Sequence, residues 1–488
     1  MKKHARLLGL FCVLLAFMFV PVSSFAAAAP GIDTSEFVKL QIYLIGAPAP
    51  DYDKMLVVLN EKLKADINAE VEVFWMGWGE YAQAYPLLLA SGEPIDAIYA
   101  STWTSFYQEA AKGAFMPIED LAPIYMPRTF AEWDENYIKQ ITVGGHIVGI
   151  PTLFYSYGLM AYIIRGDIAE EVGFDREIKC MDDFGEYLRL VSEKRPDLMS
   201  GDWTANSDDL LGALTRENGY LLFPSSPAIV MDAREGKMTC IYDCEFTLPF
   251  FKKMKEWSDA GYWSKSVLSD MSQGNFAEGR AASRLHNTDT WKNTYIAHPD
   301  WNPLYYPTAP YSLRTRAMQD GFAIPASSKN PERALMMLEL FFQERDYWEL
   351  LAYGIKGEHY EINPDGTLNP LNTEAWAPGG YCDWAFQRVE WKYPVVGEPP
   401  NYREWLGKLE AMGMNNPMAL LNVNFEPIKN ERAAVIDVCT QYSKPLVYGY
   451  VDDVEAGYET LMKKLDEAGL RVMMAEMQRQ YDEFLAAQ

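Results

Sequence analysis

Residues 149–167 have the sequence GIPTLFYSYGLMAYIIRGD, an aromatic and β-rich stretch that separates two regions of alternating strand and helix patterns. The region before it ends in the turn Gly144-Gly145, and residues 167–173 after it predict a short helix closed by a glycine. We interpret the stretch as the first crossing between two α/β domains, and an internal strand of one domain is the alternative. A crossing strand lies at the bottom of the cleft between domains, where small ligands usually bind.

The region before the crossing predicts a parallel sheet. Strand patterns over 38–45, 69–75 and 95–100 alternate with amphipathic helical patterns, which is typical of right-handed β-α-β crossovers. Ligands of such sheets bind beyond the carboxyl ends of the strands. Trp78 and Trp103 follow the second and third strands and are therefore expected at that edge.

Length and composition indicate a large globular chain with an unusual aromatic content. The 488 residues predict two to three domains, and a hydrophobic content of 49% is that of a folded protein. Aromatic residues make up 14%, with 14 Trp and 30 Tyr. Such rings stack on flat apolar surfaces, including the faces of sugar rings, although most of them are expected in ordinary core packing.

The N-terminus has the pattern of a secretory signal over residues 1–28. Lys2, Lys3 and Arg6 precede an apolar run over 7–20 that is short for a membrane span, and small residues follow it. Pro30 stands where an acylated cysteine would follow the small residues, so no lipobox is found. We expect a soluble, exported protein that is extracellular or associated with the cell surface.

The chain is strongly acidic, with a formal net charge of −25. Loss of the signal removes Lys2, Lys3 and Arg6 and no acidic residue, so the remaining chain is more acidic still. This charge argues against nucleic acid or an anionic membrane as a partner. Five cysteines lie outside the signal, too few and too scattered for a disulfide scaffold, although Cys240 and Cys244 are close enough in sequence to pair. With 5 His and no zinc-type spacing, we expect no metal and no cofactor.

Motifs of common enzymes are absent from the sequence. It contains no G-x-S-x-G, P-loop, H-E-x-x-H or C-x-x-C pattern. The 68 acidic residues leave a secreted carbohydrate-active enzyme open as the alternative function, but their order singles out no acid and nucleophile. A structural or signalling role is a further alternative. Binding without catalysis is the favoured interpretation.

Several segments, in order, resemble an extracellular solute-binding protein of an ABC importer, in the class of maltose-binding protein. The segments are LLASGEPIDAIY at 88–99, KGAFMPI at 112–118, the crossing at 149–173, GNFAEGRAA at 274–282 and GFAIPASSKNPERA at 321–334. YLIG at 43–46, YGIKG at 353–357 and a C-terminal helical pair resemble the LipO-like Gram-positive subfamily more closely. Members of that subfamily are usually lipoproteins, and this chain lacks the acylated cysteine.

The resemblance implies a two-lobe α/β fold of the type II periplasmic-binding-protein kind, with an inter-lobe hinge. Crossings expected near 150, 287 and 322 place residues 36–150 and 288–322 in lobe 1, and 151–287 and 323–430 in lobe 2. A mostly helical extension over 431–488 is expected to pack on lobe 2. The implied function is capture of a small solute, an oligosaccharide by preference, by a monomer that delivers it to the permease subunits of an ABC importer.

Candidate ligand contacts follow from these positions. Tyr155 and Tyr157 share one face of the crossing strand, with inter-domain packing as the alternative. Asp289 and Trp291 follow the strand expected to return to lobe 1, where Asp289 is suited to accept sugar hydroxyls or to cap a helix. The full set of expected contacts is Trp78, Trp103, Thr104, Tyr155, Tyr157, Trp203, Asp289, Trp291 and Trp384.

Overall fold

The computed structural model describes residues 32–152, 157–158, 160–203, 210–223, 226–232, 235–264, 266–269, 274–377, 382–416, 418, 421 and 423–486. The predicted signal over 1–28 and the candidate contact Tyr155 lie outside these ranges. No helix in the described part of the chain is both long and apolar enough to cross a membrane.

The described strands are mostly short. In chain order they are β1 (Val38–Ile45), β2 (Ala69–Met76), β3 (Ala97–Tyr99), β4 (Thr142–Val143), β5 (His146–Ile147), β6 (Ile150–Pro151), β7 (Tyr157–Gly158), β8 (Ala161–Ile164), β9 (Tyr220–Leu222), β10 (Ile229–Asp232), β11 (Lys237–Cys240), β12 (Ser283–His286), β13 (Leu304–Pro307), β14 (Ser312–Arg314), β15 (Gly321–Ala323), β16 (Tyr360–Ile362), β17 (Leu368–Pro370) and β18 (Gly413–Met414).

The described helices occupy much more of the chain. They are α1 (Tyr52–Ile67), α2 (Tyr81–Ser91), α3 (Phe106–Ala111), α4 (Ala122–Tyr125), α5 (Pro127–Ala131), α6 (Glu135–Ile141), α7 (Gly166–Val172), α8 (Met181–Lys194), α9 (Leu210–Glu217), α10 (Thr247–Asp259), α11 (Thr288–Ala297), α12 (Pro331–Gln343), α13 (Arg345–Tyr353), α14 (Tyr402–Ala411), α15 (Lys429–Val438), α16 (Lys444–Val447), α17 (Val454–Glu467) and α18 (Leu470–Ala486).

Lobe 1 is built around a five-stranded sheet with the order β2-β1-β3-β15-β6. β1 pairs in parallel with β2 and β3, as the alternating patterns predict, and β15 is antiparallel to β3 and β6. Leu40, Ile42 and Leu44 alternate along β1 and are fully buried, because the helices cover that face. The sheet therefore presents the carboxyl ends of β2 and β3 at one edge.

Lobe 2 contains two small antiparallel sheets, β12-β8-β13 and β11-β10-β9. Alternate residues of β8 enter different cores. Tyr162 and Ile164 join the large core of lobe 2, whereas Ala161 and Ile163 pack with Trp291 and residues near it on the opposite face.

The predicted lobe boundaries differ from the structure after residue 287. β12 pairs antiparallel with β8 and is followed by α11 and β13, so residues 288–307 stay in lobe 2 instead of returning to lobe 1. Residues 323–395 supply much of the lobe 1 core instead of lobe 2. The buried carboxylate of Asp96 explains part of this, since it accepts hydrogen bonds from the Gln41 amide, Ser328 and Asn330.

Within the described residues the chain passes between the two cores three times, first between β6 and β8. The second crossing lies between Leu313 and Ala317, not at 287, and the third between Val395 and Tyr402, not at 322. Residue 322 belongs to β15, an interior strand of lobe 1. β14 pairs with β7 and β18, which forms a three-stranded hinge sheet from the first two crossing regions and a short strand that follows α14.

The C-terminal helices pack on lobe 2. Met473, Met477 and Tyr481 of α18 enter the same core as Met231 and Met238 of the β11-β10-β9 sheet. Polar contacts fix the register, because the Met238 amide donates a 2.8 Å hydrogen bond to Gln478 and the Trp263 indole donates a 3.0 Å bond to the Tyr448 carbonyl.

Candidate ligand-binding site

Three of the predicted tryptophans meet at the edge of the lobe 1 sheet. Trp78 follows β2 and Trp103 follows β3, and their ring centroids are 5.7 Å apart. Trp384 lies 5.8 Å from each of them. We call these three rings the tryptophan wall. Sheet topology accounts for the first two, since β2 and β3 both run parallel to β1 between them and their carboxyl ends lie at the same edge of the sheet.

Trp384 reaches the wall on the 3₁₀ helix Cys382–Phe386. Phe386 anchors this helix in lobe 1, where its ring lies 5.2 Å from Phe322 and its carbonyl accepts a 2.6 Å hydrogen bond from the Trp348 indole. These contacts of Phe386 fix the position of the Trp384 indole, because the helix that carries both residues cannot move without breaking them.

Two tyrosines complete the aromatic surface, and neither was among the predicted contacts. Tyr81, at the start of α2, packs edge-on against Trp103 at 5.3 Å, and Tyr99, at the end of β3, lies 5.3 Å from Trp103 and 4.9 Å from Trp384. Tyr99 is fully buried, whereas 43% of Trp78 is exposed. The cluster is thus buried at its base and open on the side of Trp78.

Gly46 allows the wall to sit close to the end of β1. Its φ is +114°, a conformation that L side chains rarely adopt, and a Cβ there would lie 3.3 Å from the Trp78 indole nitrogen. The YLIG segment therefore combines a strand with the one residue type that lets Trp78 pack over its end.

A carboxylate borders the wall at Asp320, which the sequence did not single out. The Tyr99 hydroxyl donates a 2.6 Å hydrogen bond to it, and the Ser101 hydroxyl donates to the adjacent Gln319 carbonyl. Burial raises the pKa of Asp320 to about 6, against the Tyr99 hydrogen bond; the charge of Asp289 adds to the rise and that of Lys392 opposes it.

Asp289 lies on α11 in lobe 2, and its charge contributes to the raised pKa of Asp320. Its carboxylate accepts a 3.2 Å hydrogen bond from the Tyr402 hydroxyl and lies 3.5 Å from the Lys292 ammonium. Burial opposes ionisation, but Lys292, Lys392 and Tyr402 outweigh it and lower the pKa of Asp289. The helix cap is Asn287, which accepts from the Thr290 amide, so the capping alternative for Asp289 does not hold.

Three predicted contacts are buried and unavailable to a ligand in this structure. Trp291 is 2% exposed and donates a 2.7 Å hydrogen bond to the Pro303 carbonyl, because α11 packs onto the lobe 2 sheet. Trp203 is buried in the lobe 2 core beside Phe184. Thr104 is buried and its hydroxyl accepts from the Ser101 amide, a local turn contact.

The predicted contacts on the crossing strand remain predictions. Tyr155 lies outside the described residues, and Tyr157 is described only through its backbone, which pairs with Arg314 in the hinge sheet.

Among the described residues, one trio has the composition of a metal site: Asp51, Glu358 and His359. The His359 Nδ1 accepts a 2.8 Å hydrogen bond from the Ile355 amide, so in the neutral ring the proton is on Nε2, which faces Asp51 at 3.3 Å. The Lys54 ammonium pairs with Glu358. These contacts satisfy the trio without an ion.

The possible pair Cys240 and Cys244 is not a disulfide. Both are free thiols, and the Cys244 thiol donates to the Cys240 carbonyl at 3.5 Å. Burial raises the pKa of Cys240 to about 12 and that of Cys244 to about 11, so neither is a reactive thiolate at neutral pH.

Comparison with known proteins places this two-lobe chain in a family. Residues 47–344 match the bacterial extracellular solute-binding protein family, and residues 417–486 match a domain of unknown function, DUF3502. The first match covers more than half of the chain. The protein therefore belongs to the bacterial extracellular solute-binding protein family, as the resemblance in the sequence indicates.

Relatives extend over nearly the whole chain. A carbohydrate ABC transporter substrate-binding protein of Streptococcus pneumoniae is 22% identical over 93% of this chain and 92% of its own length. The polygalacturonan/rhamnogalacturonan-binding protein YtcQ of Bacillus subtilis is 23% identical over 85% of this chain and 86% of its own.

The fold is similar to that of a solved solute-binding protein. The N-glycan transport solute binding protein NgtS from Streptococcus pneumoniae, crystallised with Man1GlcNAc, superposes with a TM-score of 0.79 at 20% identity. The match covers 92% of this chain and 100% of that one. This likeness confirms the predicted two-lobe type II fold.

Proposed function

We propose that this protein binds an oligosaccharide between its lobes, on the tryptophan wall, and delivers it to an ABC importer. The observation that carries the proposal is the convergence of the Trp78, Trp103 and Trp384 rings, whose centroids lie within 6 Å of one another, with Trp78 43% exposed at the edge of the lobe 1 sheet. Sugar rings have apolar faces and polar rims, so a site for them combines flat aromatic surfaces with hydrogen-bonding groups. The carbohydrate partners named for the relatives support the same class of ligand.

Asp320 and Asp289 are the proposed acceptors for sugar hydroxyls. Asp320 accepts a hydrogen bond from Tyr99 of the aromatic surface, and Asp289 lies on α11 in lobe 2, with a charge that acts on Asp320. A ligand that contacts both carboxylates binds the closed arrangement better than an open one and shifts the population of lobes toward closure.

The cellular setting follows from the family and the N-terminal pattern. We propose that the protein is exported as a monomer, is extracellular or associated with the cell surface, and docks with the permease subunits of its importer. The proposed cycle has no cofactor and no metal.

Asp289 and Asp320 also bear on the enzyme alternative, because a pair of carboxylates whose pKa values are driven apart is a feature of glycosidases. Lys292 and Tyr402 already hold Asp289, and Tyr99 holds Asp320. We propose that the pair binds hydroxyls without cleaving the ligand. Chromatography of the bound oligosaccharide after a long incubation should return it intact, and release of shorter sugars would favour the enzyme.

A thermal-shift screen of sugars, oligosaccharides and peptides tests the function, since a ligand that binds only the folded state raises the midpoint of unfolding. We expect stabilisation by at least one oligosaccharide, and its loss in Trp103→Ala. Trp257→Ala is the matched control, because Trp257 packs on Gly185 and Tyr262 in lobe 2. Stabilisation by peptides alone would reject the proposal.

A further inference from the structure

We infer that the site selects uncharged oligosaccharides and rejects uronic acids, and that Asp320 is a specificity-determining residue. This inference rests on the proposed function and concerns the charge of the ligand at the same site. The inference distinguishes this chain from its relative YtcQ, whose name gives polygalacturonan and rhamnogalacturonan as its ligands.

Asp320 lies next to the aromatic surface of the site. Its carboxylate is one hydrogen bond from Tyr99, whose ring lies 5.3 Å from Trp103 and 4.9 Å from Trp384. Asp320 itself is only half-buried, so we infer that its carboxylate is accessible to the polar rim of a sugar ring stacked on the wall. Tyr99 supplies one donor to Asp320, and a carboxylate has about four acceptor positions, so it retains capacity to accept ligand hydroxyls.

Asp289, on α11 in lobe 2, supplies a second negative charge that acts electrostatically on Asp320. Its side chain is 45% exposed in spite of its contacts with Tyr402 and Lys292. A ligand held between the lobes is consequently exposed to carboxylates on both sides, at a rim where hydroxyls donate well and a third carboxylate is repelled.

Four cations among the described residues are engaged with protein groups. Lys292 lies 3.5 Å from Asp289, and the Lys392 ammonium donates a 2.8 Å hydrogen bond to Gln387 and acts electrostatically on both Asp289 and Asp320. Arg284 faces Asp202 at 4.0 Å, and the half-buried Arg316 lies over the Tyr107 ring and donates to the Leu421 carbonyl.

Recognition of a uronate needs a cation with a free donor, because a buried carboxylate is costly without a paired charge. Recruiting Lys292 for a ligand carboxylate would leave Asp289 without its ion-pair partner, and recruiting Lys392 would break its hydrogen bond to Gln387. The arrangement therefore favours neutral sugars, whose hydroxyl groups donate hydrogen bonds to the carboxylates.

The test compares a neutral ligand with its uronate, in which a carboxylate replaces each primary hydroxyl group. The neutral oligosaccharide that stabilises the protein best is oxidised at its primary hydroxyls to give the matching uronate, and Kd is measured for both by calorimetry at neutral pH. We expect the uronate to bind weaker by on the order of tenfold or more, the size of a like-charge interaction at a partly solvated site.

Asp320→Asn should reduce the ratio of the uronate Kd to the neutral-sugar Kd by on the order of tenfold, because Asn keeps an acceptor for Tyr99 and removes the charge. Asp437→Asn, on the exposed surface of α15, changes the net charge equally and should leave the ratio unchanged. A uronate that binds as tightly as the neutral sugar overturns the inference while the proposed function stands. An unchanged ratio in Asp320→Asn overturns the role of Asp320, and absence of binding by every oligosaccharide rejects the proposed function itself.

Discussion

The ring centroids of Trp78 and Trp384 lie 5.8 Å apart at an angle of 37°, although one follows the second strand of the chain and the other lies in a 3₁₀ helix shortly before the last crossing. Early and late segments of lobe 1 therefore build one surface. The wall is complete only when residues 382–386 are packed on Phe322 and Trp348.

Trp384→Ala should weaken oligosaccharide binding by roughly 1–3 kcal/mol, by analogy with the stacking of bases on aromatic side chains. The ring is half-buried at the wall, so its removal takes away a stacking surface while Phe386 keeps the helix in place. Calorimetric titration of parent and variant measures the change. Equal affinity in the two proteins would remove Trp384 from the site.

Trp291→Ala should destabilise the fold by about 3–5 kcal/mol, the usual cost of deleting a large buried ring. Trp291 packs at 5.1 Å on Tyr305 and donates to the Pro303 carbonyl. Urea unfolding measures the loss, and Trp78→Ala is the exposed control with a small effect. A Trp291→Ala protein as stable as the parent, with impaired ligand binding, would return Trp291 to the candidate site.

The contrast between these tryptophans marks how far the sequence could predict the site. Trp78 and Trp103 follow strands of a parallel sheet, and strand order alone puts them at a shared edge. Trp291 was expected there too, because the sequence does not reveal that β12 pairs with β8 and keeps α11 in lobe 2. Strand partners distant in sequence are set by tertiary packing, which no local pattern encodes.

The polar part of the site was harder to predict for a similar reason. Asp320 precedes β15, and only the antiparallel pairing of β15 with β3 brings it to the Tyr99 hydroxyl. Tyr99 itself carried a usable signal, as an aromatic residue at the carboxyl end of a predicted strand. The first crossing was predictable because its glycine-bounded, aromatic pattern is local.

Asp320 should make stability depend on pH. Its pKa is raised from 3.8 to about 6 in the folded protein, so the folded state binds more protons than the unfolded state between these values, and the free energy of unfolding falls as pH rises through this window. Asp320→Asn cannot ionise, so its melting temperature relative to the parent should be higher at pH 7 than at pH 4. An equal difference in melting temperature between variant and parent at pH 4 and pH 7 would contradict the raised pKa of Asp320. Asp437→Asn is the control for loss of one negative charge.

Gly449→Ala should destabilise the attachment of the C-terminal helices to lobe 2 by roughly 1–3 kcal/mol. Gly449 has a φ of +68°, and a Cβ there would collide with the Met254 carbonyl on α10. Gly407→Ala is the matched control on α14, where a Cβ meets nothing within 4 Å and helix propensity predicts a gain of about 0.5–1 kcal/mol. Thermal melts that order the two variants oppositely would refute this account of the interface.

A crystal structure of the protein with the oligosaccharide that stabilises it best is the most direct measurement of the central claim. We expect a sugar ring stacked on Trp78, Trp103 or Trp384, with hydroxyl groups that donate to Asp320 of lobe 1 and to Asp289 of lobe 2. A ligand bound away from the tryptophan wall, or one held by a single lobe without either carboxylate, would contradict it.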